Sequence, residues 1–269
     1  MLIGTALLED LAQTVALSHL VSGRDRIGLL LLAAPESGKT TIATAAECSH
    51  VKRVVVVTAR SVMQMVQEKE VEFLLFNDLA VVRSLSKATT ALLINTLNQV
   101  TQGETGEARF AGKDIYKLER QIGLIACMPF KVFVDRRAHW KDMGFVSRML
   151  PFAYEYDAEL IVGIKDGIDK GKKFEASRLP ATLPEERKIE ITSHQTRAVR
   201  ALSDARAHSL GQIGIRLLKT YHTLVRAHAL RHGRKLVTAE DMEFLREVDS
   251  FVSIDTCKPL GNPNSNGKK

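Results

Sequence analysis

Nine consecutive residues, Ala33-Ala34-Pro35-Glu36-Ser37-Gly38-Lys39-Thr40-Thr41, carry the strongest chemical signal in the chain. They follow an apolar run of strand length and precede a helix-like segment, which is the setting a phosphate-binding loop needs. Backbone N–H groups at the start of such a helix point at phosphate oxygens. Gly38 lets the backbone approach closely. Lys39 can bridge the outer phosphates, and the Thr40 hydroxyl can ligate Mg²⁺. Pro35, Glu36, Ser37 and Thr41 complete the expected contacts. One position departs from the motif, since Ala33 stands where a glycine is usual. That change removes no phosphate-binding side chain. The alternative is a strand–turn–helix corner with an incidental lysine.

Hydrolysis of a bound triphosphate also needs a carboxylate at the end of a neighbouring strand. Phe73-Leu74-Leu75-Phe76-Asn77-Asp78 supplies an apolar strand ending in Asn-Asp. In one register Asp78 holds Mg²⁺. In the other Asn77 takes the metal position and Asp78 polarises the attacking water. The usual pair of carboxylates is incomplete in both, which bears on hydrolysis more than on binding. A plain strand-end aspartate capping the next turn is the alternative.

Residues like these work only if buried strands and covering helices hold them. Five short apolar runs, 26–34, 53–59, 71–77, 121–127 and 158–164, are nearly continuous rather than alternating. That pattern suits strands buried on both faces of a parallel sheet. Helical segments are expected over 38–49, 60–69 and 88–101, so the first part reads as an α/β domain. Residues 165–188 are polar, with Gly167, Gly171, Pro180 and Pro184, and read as a loop-rich connector. A long helix over about 208–231 ends at His232-Gly233. Thr238 to Asp241 forms a capping-box start for a last helix over about 239–252. The expected organisation is an α/β nucleotide-binding domain over 1–164, a connector over 165–193, a basic helical lid over 194–255 and a flexible tail over 256–269.

Composition bounds the rest. The chain has 269 residues, 45% of them hydrophobic and 26% charged, enough for a sizeable core and too apolar for global disorder. No apolar run is long enough to span a membrane, and Glu9 and Asp10 stand where a signal peptide would be basic. Three cysteines, Cys48, Cys127 and Cys257, show no metal spacing, and a reducing cytoplasm is expected. The net charge of +7 lies wholly in residues 161–269, because residues 1–160 sum to zero. Residues 197–235 alone hold nine Lys and Arg against one Asp. A basic half on a neutral half suits a polyanionic partner; a solvated basic helix surface is the alternative.

On these residues the chain, from about 20 to 252, resembles the AAA+ ATPases, and among them the clade of the minichromosome-maintenance helicases and magnesium chelatases. The resemblance implies a P-loop domain with a five-stranded parallel sheet in the order 5-1-4-3-2. It further implies a helical lid and a ring, a hexamer, with ATP and Mg²⁺ held between subunits. Four segments extend it. Leu92 to Val100 leads into Gly103 to Lys113, where the family has a pore hairpin; Arg109 and Lys113 could then touch DNA phosphates. Gly123 to Pro129 sits at the sensor-1 strand, but Met128 replaces the asparagine that orients water, and Met cannot do that work. Met143 to Pro151 resembles the Ser-Arg-Phe motif, which makes Arg148 the arginine finger reaching a neighbouring subunit's γ-phosphate. Residues 215–241 look like the lid, with Arg216 at the sensor-2 position touching the γ-phosphate; Arg197 or Arg200 could serve instead.

Other conspicuous residues carry no assigned chemistry. His228 and His232 stand four apart on one expected helix, with no third ligand evident in the sequence. Cys127 reads as a small apolar strand residue, and Trp140 as packing near the Arg148 corner. Arg136 and Arg137 could meet nucleic acid or a neighbouring subunit. The expected function is a ring-forming ATPase acting on DNA as a helicase, a loader or a replication-initiation motor, with a replication protein as a possible partner. Its size and loosely kept motifs fit a minimal motor or a phage or mobile-element protein. One alternative is a slow nucleotide-gated adaptor assembling on DNA or protein. The other is a protein-remodelling chaperone, against which the basic stretch argues.

Overall fold

The computed structural model describes residues 5–55, 58–103, 106–109, 115–172 and 175–260, with backbone alone at 108, 109 and 115. In chain order the elements are α1 (Ala6–Ala16), β1 (Gly28–Ala33), α2 (Lys39–Ala43), β2 (Val51–Val54), α3 (Ala59–Val66) and β3 (Phe73–Phe76). Next come α4 (Lys87–Gln102), β4 (Gly106–Arg109), β5 (Ile115–Leu118), β6 (Gly123–Pro129), α5 (Phe130–Asp142) and β7 (Met149–Tyr156). The chain closes with α6 (Ala158–Asp169), α7 (Ser193–Ser209), α8 (Ile215–Arg231), α9 (Ala239–Phe251) and β8 (Lys258–Leu260). No helix among the described residues is long and apolar enough to cross a membrane.

Six strands form one parallel sheet in the order β2-β3-β6-β1-β7-β8. This is an α/β architecture of the Rossmann-like or P-loop kind. Numbered among themselves along the chain, these strands run 6-5-1-4-3-2, which differs from the expected order by the added sixth strand. A sixth strand adds outside β7, and the strand beside β1 is not the segment expected there. Residues 158–164 are helical, in α6. Asp157 caps that helix, its carboxylate accepting from Leu160 N–H at 2.7 Å, and Glu159 lies in its first turn. The strand role falls instead to β7, despite Pro151. The Pro151 carbonyl accepts from Ser253 N–H on the flank away from β1. The missing proline N–H therefore costs no ladder bond to β1.

Other differences are local. The edge strand β2 begins at Val51, and it exposes Lys52 and Arg53 as edge strands do; residues 56 and 57 of the expected run lie outside the described residues. The long helix expected over 208–231 is two helices, α7 and α8, broken at Gly211 to Gly214. Gly214 has φ +92°, and a Cβ there would stand 2.8 Å from Ala207 Cβ, so the break is built for glycine. The tail expected to be free from 256 instead supplies β8, paired with Tyr154 to Tyr156; residues 261–269 lie outside the described residues. A two-stranded hairpin of β4 and β5 is present between α4 and β6. Arg109 ends β4, and Lys113 lies outside the described residues.

The core runs continuously from the sheet into the helices that cover it. β1 is buried along its whole length between β6 and β7, which is why Leu29 to Leu32 show no polar alternation. The connector is not loose where described. Ser177 N–H donates to Glu9, Ser177 accepts from Gln13, and Val21 and Glu190 make single bridges to Arg187 and Leu236. Among the C-terminal helices, Arg206 of α7 holds Asp249 of α9 through two bonds of 3.0 and 2.9 Å, and the Tyr221 hydroxyl of α8 donates to the same carboxylate.

Two stability predictions follow from this packing. A Cβ on Gly123 would stand 2.0 Å from a ring carbon of the fully buried Phe73. Gly123→Ala should therefore cost about 1–3 kcal/mol by overpacking. The check is a lower urea midpoint at unchanged m-value; a loss under about 0.5 kcal/mol would show that the Phe73 ring relaxes freely.

His222, bonded through Nδ1 to Arg226 at 3.2 Å, has its pKa pushed down to about 4. Burial is the main cause, aided by the charges of Arg226 and Arg24. The folded chain thus keeps this ring neutral where the unfolded chain protonates it. Its contribution is complete above pH 6.5 and is lost as pH falls towards 4. Between those values the urea midpoint of the wild type should fall more steeply than that of His222→Gln. Parallel curves would mean that the ring titrates normally.

Candidate functional site

The loop from Ala34 to Gly38 joins the C-terminal end of β1 to α2. Two residues in it have left-handed backbone, Glu36 at φ 62° and Gly38 at φ 71°. Such a turn gathers successive N–H groups into an anion-sized concavity. Ala34, Pro35 and Glu36 are exposed and Ser37 is buried. The loop is fastened from below: the hydroxyls of Tyr154 and Tyr156 both donate to the Ser37 carbonyl, at 3.0 and 2.6 Å. Ser37 Oγ in turn donates to the Ala34 carbonyl at 2.7 Å. Burial lifts the Tyr156 phenol to about 12 and Tyr154 well above its usual range, so both stay neutral donors.

Lys39 folds back over this loop. Its ammonium donates to the carbonyls of Ala33 (3.1 Å) and Ala34 (2.5 Å) and to Ser37 Oγ (3.0 Å). Three oxygens thus surround the three donors, as phosphate oxygens would. Burial holds the Lys39 pKa below its ordinary value, against the opposing pull of Cys127, Asp78 and Cys257. Cys127 Sγ lies 3.5 Å from the Lys39 carbonyl, and burial pushes its thiol up to about 12, so it is an inert strand residue as expected.

Asp78 follows β3 at the same end of the sheet, close enough to Lys39 for their charges to interact. Its Oδ1 accepts from Ala80 N–H at 2.8 Å, capping a 3-10 turn over Leu79–Arg83. The capping role and a metal role are compatible, because the cap engages one carboxylate oxygen of an exposed residue and leaves the second. Beside it, Asn77 Oδ1 is buried without a hydrogen-bond partner. An orphaned oxygen acceptor beside a carboxylate, with the exposed Thr40 hydroxyl following Lys39 in sequence, supplies oxygen donors of the kind a hard divalent cation takes. The residues present therefore fit both groups: a phosphate chain over the loop amides and Lys39, and Mg²⁺ near Thr40, Asp78 and Asn77.

Met128, the last residue but one of β6, pairs with Leu32 of β1 and has no exposed surface. A buried thioether cannot orient a water, so the position adds nothing polar to the site.

The arginines lie elsewhere. A cleft of about 280 Å³ is lined by Asp25, Arg26, Gly28, Arg148, Arg216 and Lys219, among others. Gly28 opens β1, whereas the phosphate loop follows its last residue. Five residue steps of strand separate the two ends by about 17 Å. Arg148 donates to the Gly144 carbonyl, and Arg216 donates to Ser147 Oγ at 3.0 Å. The structure thus joins Arg148 with Arg216 and parts both from Lys39 of the same chain. Arg216 lines the cleft at the start of β1 and is not brought to the loop of its own chain. Of the alternatives, Arg200 pairs loosely with Asp204 one turn on. Arg137 is taken by Asp255 and the Ile254 carbonyl, and Trp140 packs edge-on against Phe145 near the Arg148 corner.

Sequence reasoning missed the tyrosine pair beneath Ser37 and the return of the C-terminal segment, with Cys257, to the loop edge. The pair had a signal: Tyr154 and Tyr156 alternate along one strand face. The return had none, since three residues of strand are too short to read. No model of a known protein family matches the chain, and no curated protein matches it significantly.

Proposed function

We propose that this chain is a P-loop ATPase of the AAA+ kind that assembles with copies of itself and acts on DNA. The observation that carries the reading is the Lys39 ammonium held among three loop oxygens, with Asp78 at the same end of the sheet. On this reading the loop amides and Lys39 hold the β- and γ-phosphates of ATP, Tyr154 and Tyr156 keep the loop in shape, and Thr40 and Asp78 hold Mg²⁺. Mg²⁺, when bound, neutralises charge on the phosphates. The Arg148–Arg216 cleft then serves a neighbour's nucleotide, since it opens at the opposite end of the sheet. Next to Arg216 stand Ile213 and Ile215, 91% and 66% exposed. Large apolar side chains at such exposure beside a basic cleft suit a protomer contact. The charge excess in residues 161–269 supports a polyanionic partner.

Two observations favour a second reading, a nucleotide-gated adaptor with little turnover. Met128 fills the place of a water-orienting amide, and only one carboxylate serves the metal side. Steady-state ATP hydrolysis with and without single- and double-stranded DNA separates the two. The motor predicts turnover that DNA stimulates and that falls steeply with salt as DNA contacts are screened. Tight ATP binding without turnover would support the adaptor. DNA-independent turnover would turn the search to a protein substrate. Failure to bind nucleotide would overturn the P-loop reading itself.

A further inference from the structure

The sequence offers His228 and His232 on one helix without a third ligand, and the fold supplies one. α1 packs along α8 and brings Asp10 against both rings: one ligand atom from each of Asp10, His228 and His232 lies within 4.8 Å of the others. Asp10 Oδ2 stands 3.4 Å from His228 Nε2. With metal–ligand bonds of about 2.0–2.1 Å, adjacent ligands of a tetrahedral zinc ion are roughly 3.4 Å apart. We infer that Asp10, His228 and His232 form a divalent-metal site of zinc type, tying α1 of the sheet domain to α8 of the lid.

The surroundings are those of a built site. His228 Nδ1 lies 2.6 Å from Asp241 Oδ1. A carboxylate can only accept, so Nδ1 carries the proton and Nε2 is the atom turned to Asp10. This carboxylate–histidine arrangement fixes the tautomer of metal-bound histidines. Asp241 is itself held by Arg234 and by Thr238. The His228 ring is fixed by stacking on Phe244, with centroids 4.0 Å apart and planes at 10°.

Asp10 is steadied on its other oxygen by Arg231 at 2.6 Å, which leaves Oδ2 for the ion. His232 Nε2 accepts from Arg231 Nη1 at 3.3 Å, so that nitrogen has a lone pair. Arg231 keeps two bonds to Gln13 when it gives up this contact. His232 is exposed, which opens an entry path and leaves a fourth position for water. Two imidazoles and one carboxylate suit Zn²⁺ rather than Mg²⁺, which prefers oxygen alone. Where the His228 ring carries a second proton, on Nε2, metal binding releases it to solvent.

The site is independent of the nucleotide reading, and its test uses no nucleotide. The full chain is stripped with a chelator and titrated with Zn²⁺, and with Co²⁺ as a spectroscopic probe. The expected result is one equivalent bound, with visible Co²⁺ absorption of a four-coordinate site and no near-ultraviolet thiolate band. His232→Ala should weaken binding at least 100-fold, and Asp241→Asn about 10–100-fold. His232 is exposed, so its variant should unfold in chelator like the wild type; Asp10→Asn serves as a second ligand variant. No saturable binding at micromolar Zn²⁺, unchanged affinity in His232→Ala, or a thiolate band would each overturn the site.

Discussion

Lys39→Ala should abolish nucleotide binding and leave the fold intact. The Lys39 ammonium is held by the loop itself, and its three donors meet three loop oxygens that phosphate oxygens would replace. Hydrogen bonds to a charged group each contribute about 1.5–3 kcal/mol. Losing two of them to a triphosphate weakens binding by at least about 100-fold. The fold has little to lose by the change. Burial holds the Lys39 pKa below its ordinary value, a cost of burying the charge that alanine does not carry. The loop keeps its shape through Ser37, Tyr154 and Tyr156. Titration with a fluorescent ATP analogue, beside a urea denaturation curve, separates the two effects. Unchanged affinity at unchanged stability would end the phosphate-loop assignment.

Where the sequence was legible, one physical cue decided the element. β1, β3 and β6 are buried on both faces, and a continuous apolar run reads the same from either side. The cap at Thr238 was equally plain, because Thr238 and Asp241 exchange bonds within four residues. Where two cues conflicted, the cruder one misled. Residues 158–164 are apolar enough for a strand, but Asp157 and Glu159 start a helix whose Ile161, Val162 and Ile168 remain exposed. Burial, which would have exposed the error, is not a sequence property. β7 was hidden by Pro151, a residue that argues against a strand until its free flank is known.

The site divides in the same way. The proposed phosphate loop is local, so spacing alone points to it. The relation of Arg148 and Arg216 to that loop is set by the length of β1, and no motif encodes which end of a strand a distant residue reaches. The third ligand for His228 and His232 is equally non-local, since Asp10 precedes them by more than two hundred residues.

Arg148→Ala should leave ATP binding unchanged and remove turnover, by about 10³–10⁵ if the guanidinium stabilises charge on the transferred phosphoryl group. Binding survives because Arg148 stands about 17 Å of strand away from the loop of its own chain. That separation makes a stronger prediction than the single variant. Arg148→Ala chains keep an intact Lys39, and Lys39→Ala chains keep an intact Arg148. Each should be inactive alone. Mixed and allowed to assemble head to tail, about a quarter of the interfaces would pair an intact loop with an intact arginine. Turnover should therefore reappear on mixing and depend on total protein concentration. If Arg148 instead served its own chain, mixing would restore nothing. If Arg148→Ala turned over normally, the arginine cleft would have no catalytic part, and its cations would be left to bind a partner.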